Sequence, residues 1–227
     1  LSNSKLLITG ASGFIGSHIV EQALALGYEV WAGVRGTSSH QWLTDPRIKF
    51  IELNLADRNM LRRRLSESVR FDYIVHAAGA TKCLRREDFR RTNLDGTRNL
   101  VETLRELDML PARLVFVSSL SLFGAIREQL PHTDIRDTDT PHPCTAYGES
   151  KLLSEQYLST VPGLRYVVVR PTGVYGPRER DYFIMARSIK RHIDFAVGFR
   201  QQHITFVYVA DLCQAILRAL TAQGVEG

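Results

Sequence analysis

The feature that most constrains the fold is a short apolar segment followed directly by three regularly spaced glycines. Residues 5–9 are long enough for a buried strand, and residues 14–26 have the apolar spacing of a helix. Between them, Gly10 permits a tight turn, Gly13 lets the backbone approach a pyrophosphate, and Gly16 lets helix and strand pack closely. Strand, glycine turn and helix in this order predict a dinucleotide site, with the phosphates at the positive helix N-terminus.

Apolar strands alternate with helical segments along most of the chain. Strands are predicted at 28–34, 48–53, 73–77, 114–117, 164–169 and 204–209, and helices at 57–66, 84–107, 147–159, 181–190 and 211–220. This alternation predicts an α/β fold of the Rossmann type, a doubly wound parallel sheet built from βαβ units. Residues 1–170 are expected to form the nucleotide-binding domain. Residues 171–227 are expected to begin a small, truncated substrate lobe, interleaved with the last strand and helix of the Rossmann domain.

Composition narrows the function classes. The chain is 44% hydrophobic and 23% charged, and no apolar run approaches the roughly 20 residues of a membrane span. The net charge is +5, but the basic residues are scattered, which argues against nucleic acid as the main partner. Three scattered cysteines favour reduced thiols and a cytoplasmic location, and the histidines show no metal-ligand spacing, so no metal site is predicted.

The end of the second strand bears on the choice of cofactor. NAD-dependent enzymes usually place an acidic residue there to hold the ribose 2′-hydroxyl, but no acid occurs between Val30 and Thr44. Arg35 stands at that point instead, and its guanidinium suits the 2′-phosphate of NADP, with Ser38 or Ser39 adding a hydroxyl. A solvated loop arginine is the alternative. The sequence therefore favours NADP over NAD.

Two other strand ends carry candidate cofactor contacts. Asn54 follows the third strand and suits an adenine edge, although an asparagine that simply forms a turn is an equal alternative. Residues 78–80 are small, which would let a dinucleotide cross the sheet but also suits tight packing.

A tyrosine and a lysine four residues apart carry the candidate chemistry. Tyr147 and Lys151 share one face of a predicted helix. A free tyrosine has a pKa of about 10, and a cation about 4 Å away would lower the pKa by up to about 3 units. Ser118, Ser119 and Ser121 follow the fifth strand, where a hydroxyl can bind a substrate oxygen, or where serines simply form a turn.

Ordered motifs along almost the whole chain resemble the extended short-chain dehydrogenase/reductase family, in particular its NAD(P)-dependent epimerase/dehydratase branch. They are Thr9-Gly10-Ala-Ser-Gly13-Phe-Ile-Gly16, His76-Ala-Ala78, Asn93-Leu-Asp-Gly96-Thr97, Val117-Ser-Ser119-Leu-Ser-Leu-Phe-Gly124, Tyr147-Gly-Glu-Ser-Lys151, Arg170-Pro-Thr-Gly-Val-Tyr-Gly-Pro177 and Val207-Tyr-Val-Ala-Asp-Leu212. Two features depart from the family pattern. Asn54 stands where aspartate is common, and such proteins usually continue well past residue 227.

The resemblance implies roles for individual residues. Ser119 is expected to be the catalytic serine, Tyr147 the acid/base, and Lys151 a group that also contacts the nicotinamide ribose, while Ser121 and Tyr175 are expected to face the substrate. The candidate cofactor-binding residues are Gly10, Ser12, Gly13, Phe14, Ile15, Gly16, Arg35, Asn54, Leu55, Ala77, Ala78, Gly79, Asn93, Ser118, Tyr147, Lys151, Pro171 and Thr172. The family often dimerises through the helices predicted here at 84–107 and 147–159.

The expected function is that of an NADP-dependent oxidoreductase/epimerase in which a Ser-Tyr-Lys set supports hydride and proton transfer at a hydroxyl/ketone carbon. The small-molecule substrate expected first is a nucleotide sugar. An alternative is an NADPH-dependent ketone reductase of the dihydroflavonol-reductase or hydroxysteroid-dehydrogenase type. A non-catalytic cofactor-sensing regulator or RNA-binding relative is a further alternative, although such proteins tend to lose the tyrosine or lysine that this chain retains.

Overall fold

The computed structural model describes residues 3–125, 133–136, 138–193 and 204–225. Its strands are β1 (Lys5–Thr9), β2 (Glu29–Val34), β3 (Lys49–Glu52), β4 (Tyr73–His76), β5 (Arg113–Val117), β6 (Tyr166–Val169), β7 (Gly173–Tyr175) and β8 (Phe206–Tyr208). Its α-helices are α1 (Phe14–Ala25), α2 (Arg58–Ser66), α3 (Arg86–Phe89), α4 (Gly96–Glu106), α5 (Ala146–Ser159), α6 (Asp181–Lys190) and α7 (Val209–Ala219).

Six parallel strands form the main sheet in the order β3-β2-β1-β4-β5-β6. The order reverses between β1 and β4, and Thr9 at the end of β1 is in register with both Gly33 and His76. A crevice opens at such a switch point, beyond the carboxyl ends of the strands. The predicted α/β class and Rossmann-type sheet are confirmed.

Two apolar layers cover the sheet, which explains why its strands are apolar almost throughout. Leu6 and Ile8 are fully buried in the core on the side of α1 and α7, whereas Leu7 between them is fully buried on the side of α2, α4 and α5. Successive residues of a strand point to opposite faces, so a strand covered on both faces needs apolar residues at consecutive positions.

The helix predicted at 84–107 is interrupted. Residues 90–95 form a π-helical turn between α3 and α4, with Asn93 and Leu94 buried. A π-helical turn bonds each amide to the carbonyl five residues back and is frequent at functional sites. The hydrophobic pattern did not reveal it, because apolar spacing barely distinguishes one π-helical turn from a continuous α-helix.

The region after β6 also differs from prediction. The strand predicted at 204–209 was expected in the main sheet, but β8 pairs in parallel with β7, a three-residue strand that the sequence analysis missed. The final helix, α7, packs against α1 in the main core through Val209, Leu212 and Ile216. Strands of three residues, such as β7 and β8, are too short for an apolar pattern to predict which sheet they join.

Part of the stretch predicted to be irregular, 123–145, lies outside the described residues, namely 126–132 and 137. In the portion that is described, a short 3-10 turn (Leu120–Phe123) precedes loop structure that leads to α5. No helix within the described ranges is long and apolar enough to cross a bilayer.

Candidate active site

The glycine turn brings three backbone segments into contact at the switch point. Gly10 has φ +69°, and a methyl group on it would lie 2.7 Å from the backbone nitrogen of Ala78. A methyl group on Gly16 would lie 2.1 Å from the carbonyl oxygen of Gly10. Since neither position has room for a side chain, β1, α1 and the end of β4 approach as closely as backbones can.

The N-terminus of α1 suits an anionic group. Its N-cap, Gly13, contributes no side-chain hydrogen bond, and the first turn contains no acidic residue. The first amides of a helix lack partners within the helix, and the helix dipole is positive there. The residues present therefore fit the pyrophosphate of a dinucleotide.

Two loops bring the candidate serine and tyrosine together beyond β5. Ser119 lies two residues after β5 and caps the 3-10 turn, while Thr145 caps α5 by accepting a hydrogen bond from the amide of Gly148 at 3.0 Å. The Ser119 hydroxyl oxygen accepts hydrogen bonds from the Ser121 hydroxyl at 2.9 Å and the Ser121 amide at 3.2 Å. The proton of Ser119 is then free for its hydrogen bond with the oxygen of Tyr147.

That hydrogen bond acts on the acidity of the tyrosine. Burial raises the pKa of Tyr147 above its usual value, and the smaller, opposite effect of the hydrogen bond with Ser119 offsets this rise only in part. The prediction that Lys151 would lower the pKa of Tyr147 is wrong for the described structure, in which the Ser119 hydroxyl is the group that has this effect.

Lys151 is buried and points toward the sheet. Its Nζ donates to the carbonyl oxygen of Val117 at 2.8 Å and lies 4.7 Å from the centre of the Phe116 ring. Burial lowers the pKa of Lys151 to about 8, against the opposing effect of Glu155. The amine therefore exchanges a proton near neutral pH, within the range of use for acid–base chemistry.

Gly79 lies between the lysine and the π-helical turn. A methyl group on Gly79 would be 3.0 Å from the side-chain oxygen of Asn93 and 3.2 Å from the Nζ of Lys151. The small residue predicted at the end of β4 is therefore required by packing around the lysine.

Asn93 joins the loop after β4 to α5, the helix that carries Tyr147. Its amide oxygen accepts from the Ala80 nitrogen at 2.7 Å, and its amide nitrogen donates to the Ala80 oxygen at 3.1 Å and to the Ser150 hydroxyl at 2.9 Å. Ser150 in turn donates to the carbonyl of Tyr147 at 2.7 Å. The π-helical turn thus positions α5 through a buried asparagine.

A second buried chain of hydrogen bonds reaches Asn93 from the glycine turn. The Thr97 hydroxyl donates to the Asn93 carbonyl at 2.6 Å, so it accepts from Nε2 of His76 at 2.9 Å. Nδ1 of His76 then accepts from the Thr9 hydroxyl at 2.6 Å, and Thr9 accepts from the Ala78 amide at 3.3 Å. Burial and the nearby Lys151 lower the pKa of His76 to about 3, so this histidine is neutral.

The candidate adenosine end lies at β2 and β3. The exposed Arg35 begins a turn closed by two contacts, from the Arg35 amide to the Ser38 hydroxyl at 3.1 Å and from the Ser38 amide to the Arg35 carbonyl at 2.9 Å. Ser39 accepts from the Gln41 amide at 3.3 Å. Asn54 accepts from the Ala56 amide at 3.1 Å, so its oxygen performs the turn role that was the alternative to adenine binding.

Four further candidates lie at the ends of β5 and β6. The hydroxyl of Ser118 is buried and has no partner among the described residues, so it retains capacity for a ligand contact. Pro171 accepts from the Leu120 amide at 2.9 Å, and the Thr172 hydroxyl donates to the Thr205 carbonyl at 2.7 Å. Tyr175 is 46% exposed on β7, with its ring 5.5 Å from that of Tyr208.

The remaining candidates, Ser12, Phe14, Ile15, Leu55 and Ala77, follow β1, β3 and β4 at the same edge of the sheet. The structure also brings in a carboxylate that sequence reasoning missed. Glu52 ends β3, and a methyl group on Gly36 would lie 2.5 Å from its Oε1. A search for an acid after β2 does not find Glu52, because only strand pairing puts it beside the Gly36 loop.

We expect the buried His76 to make stability depend on pH. The pKa of His76 is lower in the folded protein than in the unfolded chain. Below about pH 6.5 the unfolded chain therefore binds a proton at this histidine that the folded protein does not bind, and the free energy of unfolding decreases as the pH drops. Between pH 6.5 and pH 5 the loss is about 2 kcal/mol. Urea unfolding of wild type and His76→Gln at both pH values measures this change in the free energy of unfolding.

The two proteins are compared by how much the free energy of unfolding changes between the two pH values, because His76→Gln also removes hydrogen bonds and so lowers stability at every pH. His40→Gln, which replaces an exposed histidine, is the control and should retain the wild-type pH dependence. Equal pH dependence in wild type and His76→Gln would contradict the assignment of a neutral buried histidine.

Comparisons with known proteins agree with this geometry. The profile of the NAD dependent epimerase/dehydratase family matches residues 6–227. A putative UDP-glucose 4-epimerase of Methanocaldococcus jannaschii is 26% identical over 95% of this chain and 73% of its own length. A decarboxylating sterol-4-alpha-carboxylate 3-dehydrogenase of Mus musculus is 27% identical over 92% of this chain, which spans 57% of the mouse enzyme.

A solved structure is similar over the same range. The UDP-glucose 4-epimerase of Thermus thermophilus, in complex with NAD, superposes with a TM-score of 0.81 at 30% identity, covering 96% of this chain and 75% of that one. Family profile, relatives and fold extend over nearly all of the chain. The chain therefore belongs to the NAD dependent epimerase/dehydratase family, whose relatives named here are enzymes.

Proposed function

We propose that the protein is an NADP-dependent oxidoreductase of the epimerase type that acts on a nucleotide sugar. The observation that carries the proposal is that Ser119, which acts on the pKa of Tyr147, and the buried Lys151, which donates to the Val117 carbonyl, lie at the same end of the parallel strands as the glycine turn. The similarity to UDP-glucose 4-epimerases supports the substrate class.

The side chains divide the proposed chemistry between them. A bound nicotinamide would supply the hydride acceptor and donor. Tyr147 takes the proton of the substrate hydroxyl and later returns it, and Ser119 holds the substrate oxygen through its hydroxyl. Lys151, which donates to the Val117 carbonyl and has a pKa of about 8, would contact the nicotinamide ribose.

The cofactor would lie along the carboxyl edge of the sheet. The amides at the start of α1 would hold the pyrophosphate, and the buried hydroxyl of Ser118 and Lys151 would face the nicotinamide half. Arg35 carries the preference for NADP, because its exposed guanidinium follows β2, where a 2′-phosphate would lie. The solved relative named above binds NAD, so this preference would distinguish the present chain from it.

The second candidate is an NADPH-dependent ketone reductase of the hydroxysteroid type, which the mouse sterol dehydrogenase favours as a relative. The two differ in cofactor use. An epimerase interconverts its substrate without net consumption of cofactor, whereas a reductase consumes one NADPH for each ketone. Incubation with UDP-glucose or with a steroid ketone, with reduced nicotinamide followed by absorbance, separates them.

Replacing Tyr147 by phenylalanine should abolish most turnover and leave cofactor binding intact. Only the phenolic hydroxyl is lost, and general acid–base catalysis of this kind contributes about 10²- to 10⁴-fold to the rate. Turnover of a nucleotide sugar and titration with NADPH measure the two effects on the same sample.

Tyr166→Phe is the matched control, since Tyr166 begins β6 at the opposite edge of the sheet. It should retain both turnover and binding. A Tyr147→Phe variant with wild-type turnover would rule out the proposed acid/base and favour a regulatory role.

Replacing Arg35 by glutamate should reverse the cofactor preference. Charge-assisted hydrogen bonds contribute about 1.5–3 kcal/mol, so the Kd for NADPH should rise about 10- to 100-fold while that for NADH stays within a few-fold. Titrations with both nucleotides, followed by tryptophan fluorescence, measure the ratio. Arg70→Glu makes the same charge change at an exposed site before β4 and should leave the ratio unaltered.

We further propose that residues 171–227 begin the substrate lobe and that two copies pair through α4 and α5. Contacts within the chain hold the two helices side by side, because Tyr157 of α5 donates to Glu102 of α4 at 2.8 Å and Arg98 of α4 lies 5.2 Å from the Tyr157 ring. Leu153 shares the face of Tyr157 one turn earlier. Leu153→Glu should convert a dimer to a monomer in sedimentation experiments.

Phe183→Glu changes an exposed apolar residue of α6 in the same way and should leave the dimer intact. A monomeric wild-type chain at micromolar concentration would contradict the proposed pairing.

A further inference from the structure

An ion pair lies beside the turn that follows β2. Nη2 of Arg64, on α2, is 3.1 Å from Oε2 of Glu52, and each side chain is 39% exposed. The other carboxylate oxygen of Glu52 rests against Gly36, where a methyl group would approach it to 2.5 Å. Arg35, Gly36, Glu52 and Arg64 all line one surface cavity of about 480 Å³.

Strand register explains why this carboxylate matters. Glu52 is paired with Val34, the last residue of β2, and the Leu53 amide donates to the Val34 carbonyl at 2.8 Å. Glu52 is thus level with the position at which an NAD-selective enzyme carries its ribose-binding acid. Although no acidic residue follows β2 in the sequence, the carboxylate of Glu52 on the neighbouring strand β3 lies beside the end of β2.

We infer that the Glu52–Arg64 pair sets the preference between phosphorylated and unphosphorylated nicotinamide dinucleotides. The inference rests on the proposed function, in that it assumes that the adenosine end of such a cofactor lies beside Arg35. Glu52 alone would repel a 2′-phosphate and attract a ribose hydroxyl. Arg64 neutralises Glu52, which leaves the charge of Arg35 available to the phosphate.

Opposite charge changes should therefore move the preference in opposite directions. For Arg64→Ala we expect the Kd for NADPH to rise about 5- to 10-fold, since the 2′-phosphate then meets an uncompensated carboxylate. Glu52→Gln should tighten NADPH binding by a few-fold, and the double variant should return to within about two-fold of wild type. The Kd for NADH should change by less than about two-fold throughout.

Calorimetric titration of the four proteins with NADPH and with NADH measures these values. Arg62→Ala is the control for loss of one positive charge on α2, because Arg62 is exposed and does not line the cavity. The inference would be overturned if the ratio of the Kd for NADPH to the Kd for NADH were the same in Arg64→Ala and Glu52→Gln as in Arg62→Ala. A parallel change in both Kd values would also overturn it, because it would indicate a merely structural role.

The outcomes also separate this inference from the proposed function. If wild type prefers NADPH and Arg35→Glu abolishes the preference, but the pair variants leave it unchanged, only the inference fails. If wild type binds both nucleotides equally while the pair variants still move the ratio, only the NADP preference fails. Binding of neither nucleotide would overturn both.

Discussion

The structure depends on the contact of three backbones at the switch point of the sheet. The carbonyl of Gly10 lies where a side chain of Gly16 would be, and Gly10 itself lies against the backbone of Ala78. These contacts set the distance of α1 from β1 and of β1 from the end of β4. Because the first amides of α1, the loop of Gly79 and the buried lysine all depend on these positions, larger residues at Gly10 or Gly16 would displace the whole candidate site.

Buried polar groups connect the glycine turn with α5, the helix that carries Tyr147. The chain of hydrogen bonds from Thr9 through His76 and Thr97 to Asn93 leaves each of these groups satisfied in the interior. A buried network of this kind is rigid, since an unpaired group would cost free energy. Asn93 donates to Ser150, and Ser150 donates to the carbonyl of Tyr147 on α5. The position of Tyr147 is therefore coupled to the glycine turn.

Much of the fold was predictable because the strands are buried on both faces. Residues 5–9 and 114–117 read as apolar runs, and the glycine spacing identified the turn between β1 and α1. The π-helical turn around Asn93 and the short strand β7 were not predictable, since neither alters the apolar pattern. For the site, Ser119 and Tyr147 come together as the motifs suggested, whereas the expected action of Lys151 on the pKa of Tyr147 was wrong, because burial directs the lysine to the Val117 carbonyl.

The sequence by itself determined the order of strands and helices, the glycine turn and the residue types of the candidate chemistry, because these depend on local periodicity and on backbone conformations that glycine permits. Only the tertiary structure decided which distant groups meet. It holds Lys151 at the Val117 carbonyl, makes His76 neutral by burial, and puts Glu52 level with the end of β2. The reason is physical: pairing register and desolvation are properties of packed strands and helices, and one-dimensional spacing does not contain them.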